Sequence, residues 1–444
     1  MKPSNPLHNS YLGPKTLIGT ILGIGLYRLY HFLFLQPQHL TDPYFLYDLK
    51  NYLWAAQNLT QPETIYHPQR LHPYKYPPFF LLPLSLLTQF PLPWAAAIFW
   101  ATSVLAFALS IALALQLAKN QTPTIYFWLA FLLLYDYWRV SLRLGQVQSF
   151  WFLAIMGAVY LEKQKHYTLA GISLALGAQI KIIPLLFLGY FLSRKSWKVL
   201  LGFLLGIALS TLTLGICWGW PLTLQLHISF TKLILLQSTQ LNTLETLHYK
   251  NHSLLKVLIA PLANQPYTYN QWQWNIASLP LNFLKIYAYS LALLLLGYTT
   301  WLSHHHPHLR LFSIAQFTLL CLLLPPIVWH DYYYLLILPL AVAFQKNKTL
   351  NFKSISFWIF ALLFLAMPRL FHHFGGERFY WFLGGETLGL LALWWNLTQF
   401  YKIPSPNSNP DEKNPTKAQK SSPTPPSTPP DSQIDPPASS ASTA

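Results

Sequence analysis

The chain has 444 residues, 53% of them hydrophobic and only 9% charged, with a formal net charge of +16. Average soluble domains carry about 25% charged residues, so the composition excludes an ordinary soluble globular protein and gives an all-α polytopic membrane protein. The positive excess belongs to the apolar body, because Asp411, Glu412, Asp431 and Asp435 near the C-terminus are balanced by Lys402, Lys413, Lys417 and Lys420. Part of it suits positive-inside topology; the rest suits an anionic ligand or lipid head group. Nucleic acid is a poor partner, since no polar domain presents a basic face. Cys217 and Cys321 lie in apolar spans and imply neither a disulfide nor a metal site.

In chain order, Thr16 to Gln36 reads as an uncleaved anchor: Lys2 and Lys15 precede it, no small-residue cleavage signal follows, and about 20 apolar residues match the hydrocarbon thickness. The polar stretch Gln36 to Pro78 comes next. It concentrates Asp42, Asp48, Glu63, His39, His67, His72, Lys50, Arg70 and Lys75. Asp42-Pro43 reads as a helix start, with Asp as cap and Pro in the first turn. From there Phe45, Leu46, Leu49, Leu53 and Ala56 recur at helical spacing, while Asp48, Asn51 and Ala55 fall on the other side. That pattern predicts an amphipathic helix lying on a membrane surface, its Asp48 carboxylate facing away from the apolar side.

Pro77-Pro78 opens a short apolar helix to Phe90. Spans are expected at Trp94–Leu117 and Thr124–Trp138, and Gln148–Leu161 leads to a basic turn at Glu162–His166. Leu169–Leu192 has Lys163 and Lys165 before it, Arg194, Lys195 and Lys198 after it, and Lys181-Ile182-Ile183-Pro184 in its middle. Two half-length helices broken at Lys181 keep both basic clusters on one side, and broken helices line polar cavities. Val199–Trp218 is a span, followed by a long loop from Gly219 to about Leu279. Phe283–Trp301, Leu311–Val328, Tyr332–Phe344, Ile355–Ala366 and Phe379–Phe400 complete roughly 11 to 13 membrane segments, the short ones leaving the parity open. Residues 1–401 thus form one membrane domain, with 36–78 and 219–279 as its two large loops. The Pro-, Ser- and Thr-rich stretch 402–444 reads as a disordered cytoplasmic tail.

Carboxylates near apolar spans are costly and need a reason. Asp48 is either a solvated loop charge or a reactive group; Asp42 suits a cap, Glu63 a loop charge, and Asp136 a structural ion pair with Arg139. Asp331, Glu377 and Glu386 stay open. Arg143, Gln146, Lys181, Asn251, His252 and His330 sit near span ends, where each alone reads as a snorkelling or capping group. Converging on one face, they would make an anion site. Tyr52, Tyr74, Tyr76 and Trp94 are placed to stack on a sugar. His304, His305, His306 and His308 are spaced as a positive turn rather than a metal site, and no metal is called for. No phosphate-cradling glycine loop is present, so a soluble nucleotide does not supply the group or the energy.

Several short motifs occur in a familiar order. They are Asp48-Leu49-Lys50-Asn51-Tyr52-Leu53-Trp54-Ala55-Ala56, Tyr76-Pro77-Pro78-Phe79, Gly145-Gln146-Val147-Gln148, Ala170-Gly171 with Lys181 and Pro184, Asn251-His252-Ser253-Leu254, and His330-Asp331-Tyr332-Tyr333. Spread over Tyr44 to Pro339, they resemble the polytopic glycosyltransferases of the GT-C class, in particular glycosyltransferase family 87, which includes bacterial polyprenol-phosphate-mannose-dependent mannosyltransferases. The resemblance implies a multi-pass enzyme of the plasma (inner) membrane with its site on the exterior face. It implies an inverting hexosyl transfer, mannose favoured, from a polyprenyl-phosphate sugar to a lipid or glycan acceptor, without a further cofactor. On that reading Asp48 is the general base. Arg143, Lys181 and His330 meet the donor phosphate, Gln146, Asn251 and His252 orient sugar or phosphate, and Tyr52 and Tyr76 stack on sugar. Two other classes share features: a lipid flippase or transporter, which would usually show internal repeats, and a glycan ligase, which differs in the size of its donor.

Overall fold

The computed structural model describes residues 13–35, 42, 44–67, 74–232, 247–263, 268–269, 272–273, 276–349, 354–374 and 376–402. His39, Arg70, His72, Glu245 and the tail 403–444 lie outside the described residues.

The first apolar segment is α1 (Pro14–Tyr30), opening on a proline where no helical N–H is lost and widening into a π-turn at His31–Leu35. α2 (Tyr47–Gln57) and α3 (Pro62–Ile65) belong to the polar stretch. A 3₁₀ turn at Pro78–Phe80 leads into α4 (Leu81–Leu87), followed by α5 (Leu92–Ala118), α6 (Thr124–Leu144) and α7 (Gln148–Lys163). Next come α8 (Tyr167–Ile180), a 3₁₀ turn at Ile183–Leu186, α9 (Phe187–Ser193), α10 (Trp197–Trp218), α11 (Trp220–Ser229) and α12 (Leu254–Ile259). A two-residue hairpin, β1 (Thr268–Tyr269) and β2 (Trp272–Gln273), is the only sheet among the described residues. α13 (Leu281–His305), α14 (Arg310–Leu323), a 3₁₀ segment at His330–Leu336, α15 (Ile337–Thr349), α16 (Ile355–His373), α17 (Glu377–Leu383) and α18 (Gly385–Gln399) complete the bundle.

Among the described residues α5, α10, α13 and α16 are long and apolar enough to cross a bilayer. The most hydrophobic stretch of α5 is 56% buried and that of α13 only 17%, so α5 is central and α13 peripheral. The other apolar segments are shorter or broken. α6 and α7 fold back on each other with a bend of 118°. Helix α8 stops where Lys181 turns extended (φ −152°, ψ 140°), and Pro184 opens the next turn, so the break expected at Lys181 is present. α8 and α10 approach backbone to backbone: a Cβ on Gly171 would lie 2.1 Å from the carbonyl oxygen of Val199, a close crossing that small residues permit.

Three expectations are corrected. First, α2 does not lie on a surface with one bare polar side. Leu49, Tyr52 and Ala55 are all fully buried, so protein covers both flanks of the helix. Its N-terminus is not Asp42-Pro43 either: Asp42 accepts from the Tyr44 N–H in a turn of its own, and the helix begins after Leu46, whose φ is 52°. Second, the long loop at Gly219 opens as helix α11, because Gly219 (φ 82°) redirects the chain and Pro221 suits a first turn. Third, Phe379–Phe400 is two helices, since Gly384 adopts φ 73° between them.

At the end of α7 remote from α2, buried Glu162 pairs with Arg310 and with Arg194 at 3.5 Å, and accepts from Ser196 Oγ at 3.3 Å. The turn that reads as merely basic is therefore a three-helix ionic junction. Asp136 and Arg139 form the expected ion pair at 3.1 Å.

Candidate active site

The site begins with how α6 ends. Gly145 takes φ 73°, its N–H bonds the Leu142 carbonyl (3.1 Å) and the Gln146 N–H bonds the Ser141 carbonyl (3.1 Å), a Schellman stop that a glycine makes without strain. The same glycine seats α2, since a Cβ there would lie 2.7 Å from Leu49 Cβ. The Leu46 N–H donates to the Arg143 carbonyl at 2.8 Å, fixing the first turn of α2 against this stop.

Gln146 is thereby aimed at Asp48: its Nε2 donates to Asp48 Oδ2 at 2.5 Å. Gln148 Nε2, on the first turn of α7, donates at 3.0 Å to Gln146 Oε1 and at 3.0 Å to Asp331 Oδ2. Gln148 Oε1 is buried and, among the described residues, has no partner. Lys181, released by the break after α8, donates to the Tyr332 hydroxyl and has its ammonium 5.4 Å from the centre of the Tyr76 ring. It stands within electrostatic reach of both Asp48 and Asp331. Burial pushes the Asp48 carboxyl, which lies outside the spans, from the ordinary 3.8 up to about 7; Lys181 and the Gln146 hydrogen bond oppose that rise.

The segment His330–Leu336 distributes these contacts. In a 3₁₀ turn residues three apart share a face. Asp331 and Tyr334 meet α7, through Gln148 and through Ser149 Oγ at 2.9 Å. Tyr332 meets Lys181. His330 and Tyr333 turn the other way: His330 stacks on Trp381 (5.4 Å, 21°) and Tyr333 lies edge-on to His252 (5.5 Å). There His252 Nδ1 is 3.1 Å from Glu386 Oε2, both residues buried, and Lys256 Nζ donates to the Trp381 carbonyl at 2.5 Å.

Of the residues singled out from sequence, Asp48, Gln146, Lys181 and Tyr76 come together. Tyr52 is close by but fully buried; its hydroxyl shares a 2.7 Å hydrogen bond with that of Tyr76, and Tyr74, Phe80 and Phe99 pack on its ring. The stacking face expected of it is occupied by protein. Arg143 turns aside to Asp42 at 3.5 Å, with 54% of its side chain exposed. Asn251 is a clamp between loops: its Nδ2 donates to the Pro326 carbonyl, and its Oδ1 accepts from the Ser253 and Val328 N–H groups. His252 and His330 belong to the second polar cluster. Sequence reasoning missed Gln148, Asp331 and Tyr332, although all three stand inside motifs already noted. The four histidines near His304 form no metal cluster, and the described residues hold none elsewhere.

The sequence model of glycosyltransferase family 87 matches residues 74–326, more than half of the chain. The chain belongs to glycosyltransferase family 87. It is a membrane glycosyltransferase by that membership. No curated protein and no solved structure matches it. The matched region holds Gln146, Gln148 and Lys181, whereas Asp48 and Asp331 lie on either side of it.

Proposed function

We propose that this glycosyltransferase moves a hexose, mannose in first place, from a polyprenyl-phosphate sugar to a lipid or glycan acceptor on the exterior face of the plasma membrane. One observation carries the reading: a carboxylate and an ammonium from distant segments lie within electrostatic reach of one another at one polar centre. Asp48 is held by Gln146, Lys181 stands opposite, and Gln148 Oε1 is left as an acceptor for a substrate hydroxyl.

The chemistry is a single displacement. The acceptor O–H gives its proton to the Asp48 carboxylate as its oxygen forms a bond to the anomeric carbon. The bond from that carbon to the phosphate oxygen breaks on the opposite side, its electron pair leaving with the polyprenyl phosphate, and the configuration inverts. The leaving group gains negative charge, which the Lys181 ammonium and the Tyr332 hydroxyl stabilise. Asp331 balances Lys181 and fixes Gln148. A base near pKa 7 suits proton abstraction at neutral pH, and the proton then passes from Asp48 to solvent.

The test is sugar transfer from labelled polyprenyl-phosphate hexoses in membranes holding wild type or Asp48→Asn. Transfer by wild type and its near-absence in the variant support the reading. Equal rates would remove Asp48 from the mechanism, and lipid translocation in proteoliposomes without transfer would move the chain to the flippase class.

A further inference from the structure

A second cationic site lies beside the first. A cavity of about 230 Å³ opens between α1, α5 and α6, and neither Asp48, Gln146, Lys181 nor Asp331 lines it. Arg28, Arg139 and Arg143 do, above a floor that includes Trp100 and Trp138. Cations at helix C-termini have a plain explanation in the helix dipole and in snorkelling. One observation exceeds it. Three guanidinium groups from two helices converge on one half-open cavity. Below them the buried rings of Trp100 and Trp138 form part of the cavity wall.

The inventory of the cavity is almost all donors. Arg28 gives one N–H to the Tyr135 hydroxyl at 2.9 Å and, among the described residues, has no carboxylate partner. Arg139 is paired with Asp136, 78% exposed, and Arg143 with Asp42, so two acids face three arginines. His31 adds an imidazole to the wall. An oxyanion completes such a set, and planar guanidinium forks favour phosphate. At about 230 Å³ the space falls below the about 300–1,000 Å³ of pockets that engulf a drug-sized ligand, so it takes a head group and leaves the rest outside. Beside it α1 presents exposed Leu26, Tyr27 and Tyr30, an apolar and aromatic stripe of the kind that meets acyl chains near an interface.

We infer that this cavity binds the phosphate of an anionic membrane lipid, its acyl chains lying along α1. The site does not depend on the chemistry assigned to Asp48, and its readout is bound lipid rather than sugar transfer.

The experiment uses the purified full chain in detergent micelles doped with phosphatidylglycerol or phosphatidylcholine, with retained lipid counted by native mass spectrometry. Wild type should retain one phosphatidylglycerol about tenfold more strongly than phosphatidylcholine, the effect of one charge-assisted contact set. Arg28→Gln with Arg139→Gln should erase that preference, and the matching Lys pair should restore part of it. Asp136→Asn, a change at an exposed side chain, should strengthen retention by freeing Arg139. Equal retention of the two lipids, or an unchanged preference in the Gln pair, overturns the proposal. Should the Gln pair fail to fold, Asp136→Asn decides alone: no gain in retention overturns it. Inorganic phosphate added in excess should leave the lipid bound; displacement would show that the site takes a free anion and that the lipid assignment is wrong.

Discussion

The two faces of the His330–Leu336 segment carry similar chemistry and differ in what their groups are bound to. On one face Asp331 and Tyr332 meet Gln148 and Lys181, and the links run side chain to side chain through to Asp48. On the other, His330 and Tyr333 meet a cluster tied to the backbone: Lys256 to the Trp381 carbonyl, the His252 carbonyl to Thr387, the Asn251 amide to two loops. A polar group that spends its bonds on main chain holds a fold together. One that leaves an acceptor such as Gln148 Oε1 open can meet a substrate. His252 Nε2, the Tyr333 hydroxyl and Trp381 Nε1 on the second face also lack a hydrogen-bond partner among the described residues. The proposed transfer is therefore assigned to the first face on its carboxylate and ammonium, and the second is proposed to fix the position of the segment that both share.

The sharpest way to break this contrast is Asp48→Asn. Loss of a positioned base should lower transfer by roughly 10²–10⁴-fold with expression intact, measured with a labelled lipid-linked sugar. The wild-type rate should rise as pH passes through about 7, and the variant should show no such step. Stability follows the opposite sign. The folded carboxyl, at about 7, holds its proton more tightly than the unfolded one near 3.8, so wild type loses stability as pH climbs between those values. Asp48→Asn should therefore melt higher than wild type above pH 7 and alike in acid.

Lys181→Met comes next, with kcat down by roughly 10²–10³, the usual loss for one donor to a developing oxyanion. Because Lys181 holds the Asp48 carboxyl down, its removal should also move the pH step to the alkaline side. Gln146→Ala should cost about tenfold, since a hydrogen bond to a charged group is lost, and should shift the step in the same direction. Smallest in rate is Glu386→Gln on the opposite face. Turnover per folded molecule should stay within about twofold, while thermal unfolding in detergent reports a loss of about 3 kcal/mol from a broken buried charge cluster. A large kcat effect at Glu386 with unchanged melting would erase the distinction between the faces.

The membrane class, the break at Lys181 and the motifs of the first face were legible in the sequence, because composition, a Lys–Pro interruption and short polar runs are local signals. What joined those motifs was not. Gln146 and Asp48 are 98 residues apart and Gln148 and Asp331 183, and no single sequence reports such a contact. Helical spacing sorted α2 into a greasy and a polar side but carried no sign that protein would cover the side with Asn51 and Ala55. The residues from Tyr332 onward read as one apolar span, so the three-residue repeat that separates His330 from Asp331 was hidden by hydrophobicity. Asn251 looked like a ligand because its motif is polar, whereas its bonds go to backbone. The family match begins at residue 74, and the place of Asp48 rests on the geometry around Gln146.

The stop at Gly145 also sets an order of events. The berth for α2 is built from Arg143, Gly145 and Gln146, which a ribosome delivers long after Asp48 has left the exit tunnel. During synthesis the first polar stretch must therefore wait, undocked, until the α6–α7 hairpin has been threaded. The Gln146 contact to the proposed base forms only with the arrival of that hairpin, and a chain truncated before it would carry the acid without its partner.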